Sequence, residues 1–148
     1  MTIIHRTALV EYSTHQMYAL VNDIARYPEF LPMCQATEVH CHTETEAEAT
    51  LKIAKGAIKL DFATKNEMIP DQVIKIRLLR GPFKRLLGRW KFESLKGKAC
   101  KVSLELEFEF ASRVLAWTLG GIFNRLANTM LDAFCQRAVE VYGAGSCG

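Results

Sequence analysis

The chain has 148 residues, of which 49% are apolar and 24% charged, with a formal net charge of +3. That length can bury about 68–70% of the unfolded surface in one domain, and the composition excludes a disordered or fibrous protein. No apolar run approaches the roughly 20 residues that span a bilayer. The opening MTIIHRTALVEYS lacks a basic region leading into an apolar core and a small-residue cleavage site, so no signal peptide is expected.

Residues 3–12, IIHRTALVEY, are rich in β-branched side chains and predict a strand. Ser13 and Gln16 then fit a capping box, and Met17, Leu20, Val21 and Ile24 share one face of the helix it starts. Residues 27–34, YPEFLPMC, follow. Pro28 and Pro32 bar this stretch from a long helix or an interior strand, and Pro28 suits the first position of a short helix. Apolar residues in such a segment (Tyr27, Phe30, Leu31 and Met33) must plug a core, line a pocket or touch a partner.

From about residue 35 to 110 the period becomes two. Leu51 and Ile53 flank Lys52; Ile58, Leu60 and Phe62 alternate with Lys59 and Asp61; Ile74, Ile76 and Leu78 alternate with Lys75 and Arg77. In VSLELEFEF, Val102, Leu104, Leu106, Phe108 and Phe110 face one way, and Ser103, Glu105, Glu107 and Glu109 the other. One wet and one dry face describe an antiparallel sheet. Lys55-Gly56, Ile69-Pro70-Asp71, Arg80-Gly81-Pro82 and Lys96-Gly97-Lys98 mark its turns. In the last segment Leu115, Leu119, Ile122, Leu126, Met130 and Phe134 recur at helical spacing. Ser112 can cap the start and Gly143 the end of a helix of roughly 30 residues. Gly120-Gly121 interrupts it. Two glycines in a helix need a reason: a sheet or ligand close to the backbone, or a kink.

The expected architecture is α+β. A curved antiparallel sheet of about seven strands wraps one long C-terminal helix, with two short helices after strand 1. Residues 1–142 form a single domain, and 143–148, GAGSCG, a flexible tail. A curved sheet and one helix leave room for a cavity.

The five cysteines, Cys34, Cys41, Cys100, Cys135 and Cys147, are odd in number and irregular in spacing. This predicts reduced thiols in a cytoplasm, with Cys34, Cys100 and Cys135 as core thiols. His40 and His42 share a strand face while Cys41 points away, which gives two metal ligands where a zinc site needs three or four, so no metal is expected. No nucleophile elbow, zinc-protease motif or phosphate loop occurs.

Charge is unevenly spread. Residues 52–101 hold fourteen basic residues against four acidic. Such a block is either a set of solvated strand faces or the footprint of an anionic partner. If Trp90 faces the core, Arg89 and Lys91 face away from it, and Lys59, Lys75, Arg77, Lys84 and Arg85 can join them on one basic surface. That surface would hold the phosphates of a phosphate-rich partner through counterion release. An anionic membrane surface is the alternative target.

A strand, a helical pair ending in YPEFLPMC, the segment GPFKRLLGRWKFE and the terminal SRVLAWTLGGIFNRLANTMLDAF resemble the START-like, helix-grip superfamily. Within it they are most similar to the coenzyme Q-binding and polyketide cyclase-like branch, whose bacterial members include ribosome association toxins of the RatA type. The likeness covers residues 1–142, and YPEFLPMC with Gly81, Pro82, Phe83, Leu86, Gly88, Trp90 and Phe92 carries its specific part. The resemblance implies a non-enzymatic protein with a hydrophobic-ligand cavity, no metal and no required cofactor, although ubiquinone or another hydrophobic ligand would fit. It also implies binding to the large ribosomal subunit that keeps the two subunits apart. A ubiquinone or lipid carrier with no ribosomal role is the alternative, and an aromatic polyketide cyclase the third reading. The candidate cavity wall is Phe30, Leu31, Trp90, Phe92, Trp117, Leu119, Phe123 and Leu126, each either core or lining. Phe30 and Phe123 sit where the covering elements are thinnest.

Overall fold

A computed structural model describes residues 1–143; positions 144–148 of the expected tail lie outside the described residues. The strands are β1 (Thr2–Val10), β2 (Cys34–His42), β3 (Glu46–Lys55), β4 (Ile58–Ile69), β5 (Val73–Arg80), β6 (Phe83–Ser94) and β7 (Cys100–Phe110). The helices are α1 (Thr14–Asn22), a 3-10 helix (Ile24–Glu29) and α2 (Arg113–Tyr142). All seven strands join one antiparallel sheet in the order β1-β7-β6-β5-β4-β3-β2. The first two strands thus form opposite edges. The chain between them, α1 and the 3-10 helix, crosses the inner face, where Tyr18 of α1 meets Phe92 of β6 edge-on at 5.6 Å.

The inner face is dry because the alternation puts it there. Val102, Leu104, Leu106, Phe108 and Phe110 are all buried, as are Trp90 and Phe92 beside them. α2 lies across this face with Leu119, Ile122, Phe123, Leu126, Leu131, Phe134 and Ala138 turned inward. Five rings close one end of the core: Phe123 packs on Phe62, Phe83, Phe108 and Phe110 at 4.7–6.2 Å between centroids.

Local signals set the ends. Ser13 Oγ accepts from the Gln16 amide at 3.1 Å while Gln16 Oε1 accepts from the Ser13 amide at 2.9 Å, the reciprocal capping box. Ser112 Oγ accepts from the Leu115 amide at 3.1 Å, and Gly143, at φ +88°, closes α2 through its amide to Val139 O. Gly81 sits at φ +152°, and a Cβ there would stand 2.8 Å from Phe62 Cβ, so the turn into β6 needs glycine.

Two expectations change. Pro28 is the fifth residue of the 3-10 helix and does not start it. The turn is already running when the proline arrives, because Asp23 O has accepted the Arg26 amide at 3.1 Å. Neither Gly120 nor Gly121 is a close-packing site: a Cβ at either would meet nothing within 4 Å. The sheet does not press on the helix backbone there.

Candidate functional site

A cavity of about 60 Å³ lies between α2 and the inner sheet face. Of the expected wall, Trp90, Phe123 and Leu126 line it. Tyr27 and Ile24 close it from the 3-10 helix. Leu31, Phe92 and Leu119 are buried but stand in the surrounding core, not on the cavity. Phe30 is half-buried and does not line the cavity; its ring packs against the core, meeting Phe134 edge-on at 5.2 Å. Trp117 is the clear departure: it is 92% exposed. It stands two residues from both Leu115 and Leu119, about 200° around the helix from the inward stripe, in the first turns of α2, where nearly every residue is open to solvent.

Sequence reasoning passed over two polar residues in the wall. β4 points Leu60, Phe62, Thr64, Asn66 and Met68 inward, so Thr64 and Asn66 take positions where apolar side chains are the rule. Their signal is that break in an apolar alternation. Thr64 Oγ1 donates to Asn66 Oδ1 at 3.4 Å, and the Asn66 amide NH2 has no partner among the described residues. The cavity therefore offers hydrogen-bond donors on an apolar lining, a surface matched to an uncharged ligand that carries an acceptor oxygen. Tyr27 supplies its one ionisable group. Burial pushes that phenol above its ordinary range, and its hydroxyl donates to Val21 O. Among the described residues no carboxylate, imidazole, amine or thiol lines the cavity.

The YPEFLPMC segment is pinned to α2. The Tyr27 ring meets Phe134 edge-on at 5.3 Å, and the Arg137 guanidinium lies 4.9 Å over the Phe30 ring while holding Glu29 at 2.7 Å. The hydrogen bond from Arg137, helped by Arg26, holds the Glu29 carboxyl below its usual range.

The outer sheet face carries the basic residues, but not alone. Register sets Arg89 opposite Glu105 and Arg85 opposite Glu109 on β7. The resulting ion pairs are Arg89–Glu105 at 3.3 Å, Arg85–Glu107 at 3.3 Å and Lys84–Glu109 at 3.8 Å, with Arg77–Glu67 at 3.9 Å and Lys91–Glu93 at 3.8 Å beside them. Lys75, Arg77 and Arg89 share a shallow outer groove of about 530 Å³ with Glu67, Glu105, Glu107 and the exposed Leu87. Lys59 lies elsewhere, near Lys52 and Asp61 by the β3–β4 turn. The face is a lattice of weak, solvent-exposed pairs, each contributing about 0–1 kcal/mol.

The remaining candidates are quiet. Burial pushes the Cys34 and Cys100 thiols up to about 11, and raises Cys135 as well; Cys41 is exposed. His40 contacts Thr50 Oγ1 at 2.8 Å and His42 contacts Asn22 Oδ1 at 3.2 Å. Among the described residues no group of three or more metal-ligating side chains occurs, and no helix is long and apolar enough to cross a membrane.

Comparison with known proteins adds sequence to this geometry. The polyketide cyclase / dehydrase and lipid transport family matches residues 10–135. Ribosome association toxin RatA of Pseudomonas aeruginosa is 46% identical over 142 residues, spanning 96% of this chain and 99% of that protein. The mitochondrial coenzyme Q-binding protein COQ10 of Drosophila melanogaster is 26% identical, spanning 86% of this chain and 54% of that protein. Two solved structures share the fold alone. The ZhuI aromatase/cyclase of Streptomyces sp. R1128 has a TM-score of 0.82 at 16% identity, covering 99% of this chain and 98% of that one. A START superfamily protein of Mycobacterium smegmatis has a TM-score of 0.78 at 15% identity, covering 94% and 98%.

Proposed function

The chain belongs to the polyketide cyclase / dehydrase and lipid transport family, in its RatA group, and we propose that it binds the large ribosomal subunit and keeps the two subunits from joining. The observation that carries this reading is likeness over nearly the full length: 46% identity across 96% of this chain and 99% of a protein named as a ribosome association toxin. The charge distribution supports an RNA-rich partner. The exposed pairs of β5, β6 and β7 give up a glutamate at little cost, and each phosphate contact made that way releases a counterion. The reading is non-enzymatic: the cavity lining offers one phenol, already committed to Val21 O, for proton transfer.

The test is co-sedimentation of the purified protein with separated ribosomal subunits across a salt series. Binding to the large subunit that weakens steeply as salt rises, with loss of joined ribosomes, is the expected result. No binding at low salt removes the reading.

A second reading, a carrier of a hydrophobic small molecule such as ubiquinone or a lipid, is favoured by the unpartnered Asn66 amide in an apolar cavity. Tyr27 and the YPEFLPMC segment would then act as its gate. At about 60 Å³ the closed cavity holds only a few waters' worth of volume, so a larger ligand would have to part α2 from the 3-10 helix.

A further inference from the structure

The exposure of Trp117 is out of place for a side chain of its size. A tryptophan 92% open to solvent on a regular helix contributes nothing to the fold that an alanine would not. Val114, one turn earlier, is 71% exposed. One turn later stands Gly121, exposed, where a Cβ would meet nothing within 4 Å. The helix thus presents an indole with a bare stretch of backbone beside it, a notch open to solvent among the described residues.

The surroundings are cationic. Arg113 precedes Val114, and Arg125 continues the same helix face one turn beyond Gly121. Among the described residues Arg113 and Arg125 have no carboxylate in ion-pair range, in contrast to the arginines of the outer sheet face. Unpaired cations around a single projecting aromatic ring form the surface on which unpaired nucleobases stack while their phosphates are held. A lipid surface would instead call for a broad apolar stripe, and here the face passes through Thr118, Gly121 and Arg125.

We infer that the exposed first turns of α2 contact unpaired bases of ribosomal RNA: Trp117 stacks on a base seated over Gly121, and Arg113 and Arg125, on the same helix, hold the flanking phosphates. This rests on the ribosomal reading and places the tightest contact at the end of the molecule rather than on the paired outer face. It also gives the double glycine a purpose that core packing does not.

The experiment is binding of the full chain to isolated large ribosomal subunits at one low salt concentration, alongside thermal unfolding. Trp117→Ala is expected to bind about tenfold more weakly with an unchanged midpoint, the loss that one base–aromatic stack predicts. Trp117→Tyr keeps most of the affinity. Gly121→Leu raises the unfolding midpoint and yet weakens binding, because it fills the notch; a purely structural role would move both in the same direction. Wild-type affinity in both Trp117→Ala and Gly121→Leu overturns the inference and leaves the ribosomal reading intact. Failure of the wild type to bind removes both. Binding to phosphatidylglycerol vesicles that is lost with Trp117→Ala, in a protein whose subunit binding ignores that change, assigns the surface to lipid and overturns the base contact.

Discussion

At the scale of single residues, burial sorts the candidates more sharply than residue type does. Trp90 and Trp117 looked alike in sequence as pocket walls; one is 2% exposed and the other 92%. The difference was legible in part, because Trp117 falls two positions off the Leu115–Leu119–Ile122 stripe. What could not be read was that α2 outruns the sheet beneath it. The glutamates of β7 were read correctly as outward-facing, but their pairing with Arg85, Arg89 and Lys84 depends on a strand register that composition does not encode. Tyr18 carries the clearest residue-scale cost. Its hydroxyl is buried without a hydrogen-bond partner among the described residues, and burial raises its pKa. Tyr18→Phe removes an unmet polar group and keeps the ring on Phe92, so it is expected to leave stability unchanged or raise it by about 1 kcal/mol in urea unfolding. A loss of stability would mean that the hydroxyl is bonded in solution.

Among the elements, those with a strict period were legible and those shaped by tertiary contact were not. β7 and α2 carry unbroken repeats, and the capping box of α1 needs only residues three apart. The 3-10 helix depends on Tyr27 and Phe30 finding Phe134, which lies more than a hundred residues away. Asn66 and Thr64 likewise acquire meaning only when β4 faces α2 across the cavity. The glycines of α2 allow an element-scale prediction. Gly120 is buried, but a Cβ there would meet nothing, so Gly120→Ala should recover helix propensity without a clash. The expected gain is about 1 kcal/mol, seen as a higher thermal midpoint. A lower midpoint would show that the helix bends at this position in solution.

For the molecule as a whole, the thiols of the core set a limit at alkaline pH. Cys34 and Cys100 release their protons near 9.0 when unfolded and at about 11 when folded. Their contribution is intact below pH 9. Between about 9 and 11 the unfolded chain binds fewer protons than the folded one, so stability falls across that window. Replacing both cysteines with alanine should flatten the fall in urea midpoint between pH 8 and pH 10, and an unchanged slope would assign it to other groups. The strand order has a consequence in time as well as in space. β1 is made first but pairs only with β7, and the face both belong to stays bare until α2, the last described element, covers it. A nascent chain stopped at residue 112 would expose that apolar face and β1 would have only just met its neighbour. Folding must therefore wait until α2 has emerged behind the sheet, and synthesis halted short of α2 leaves a sheet with no cover on its apolar face.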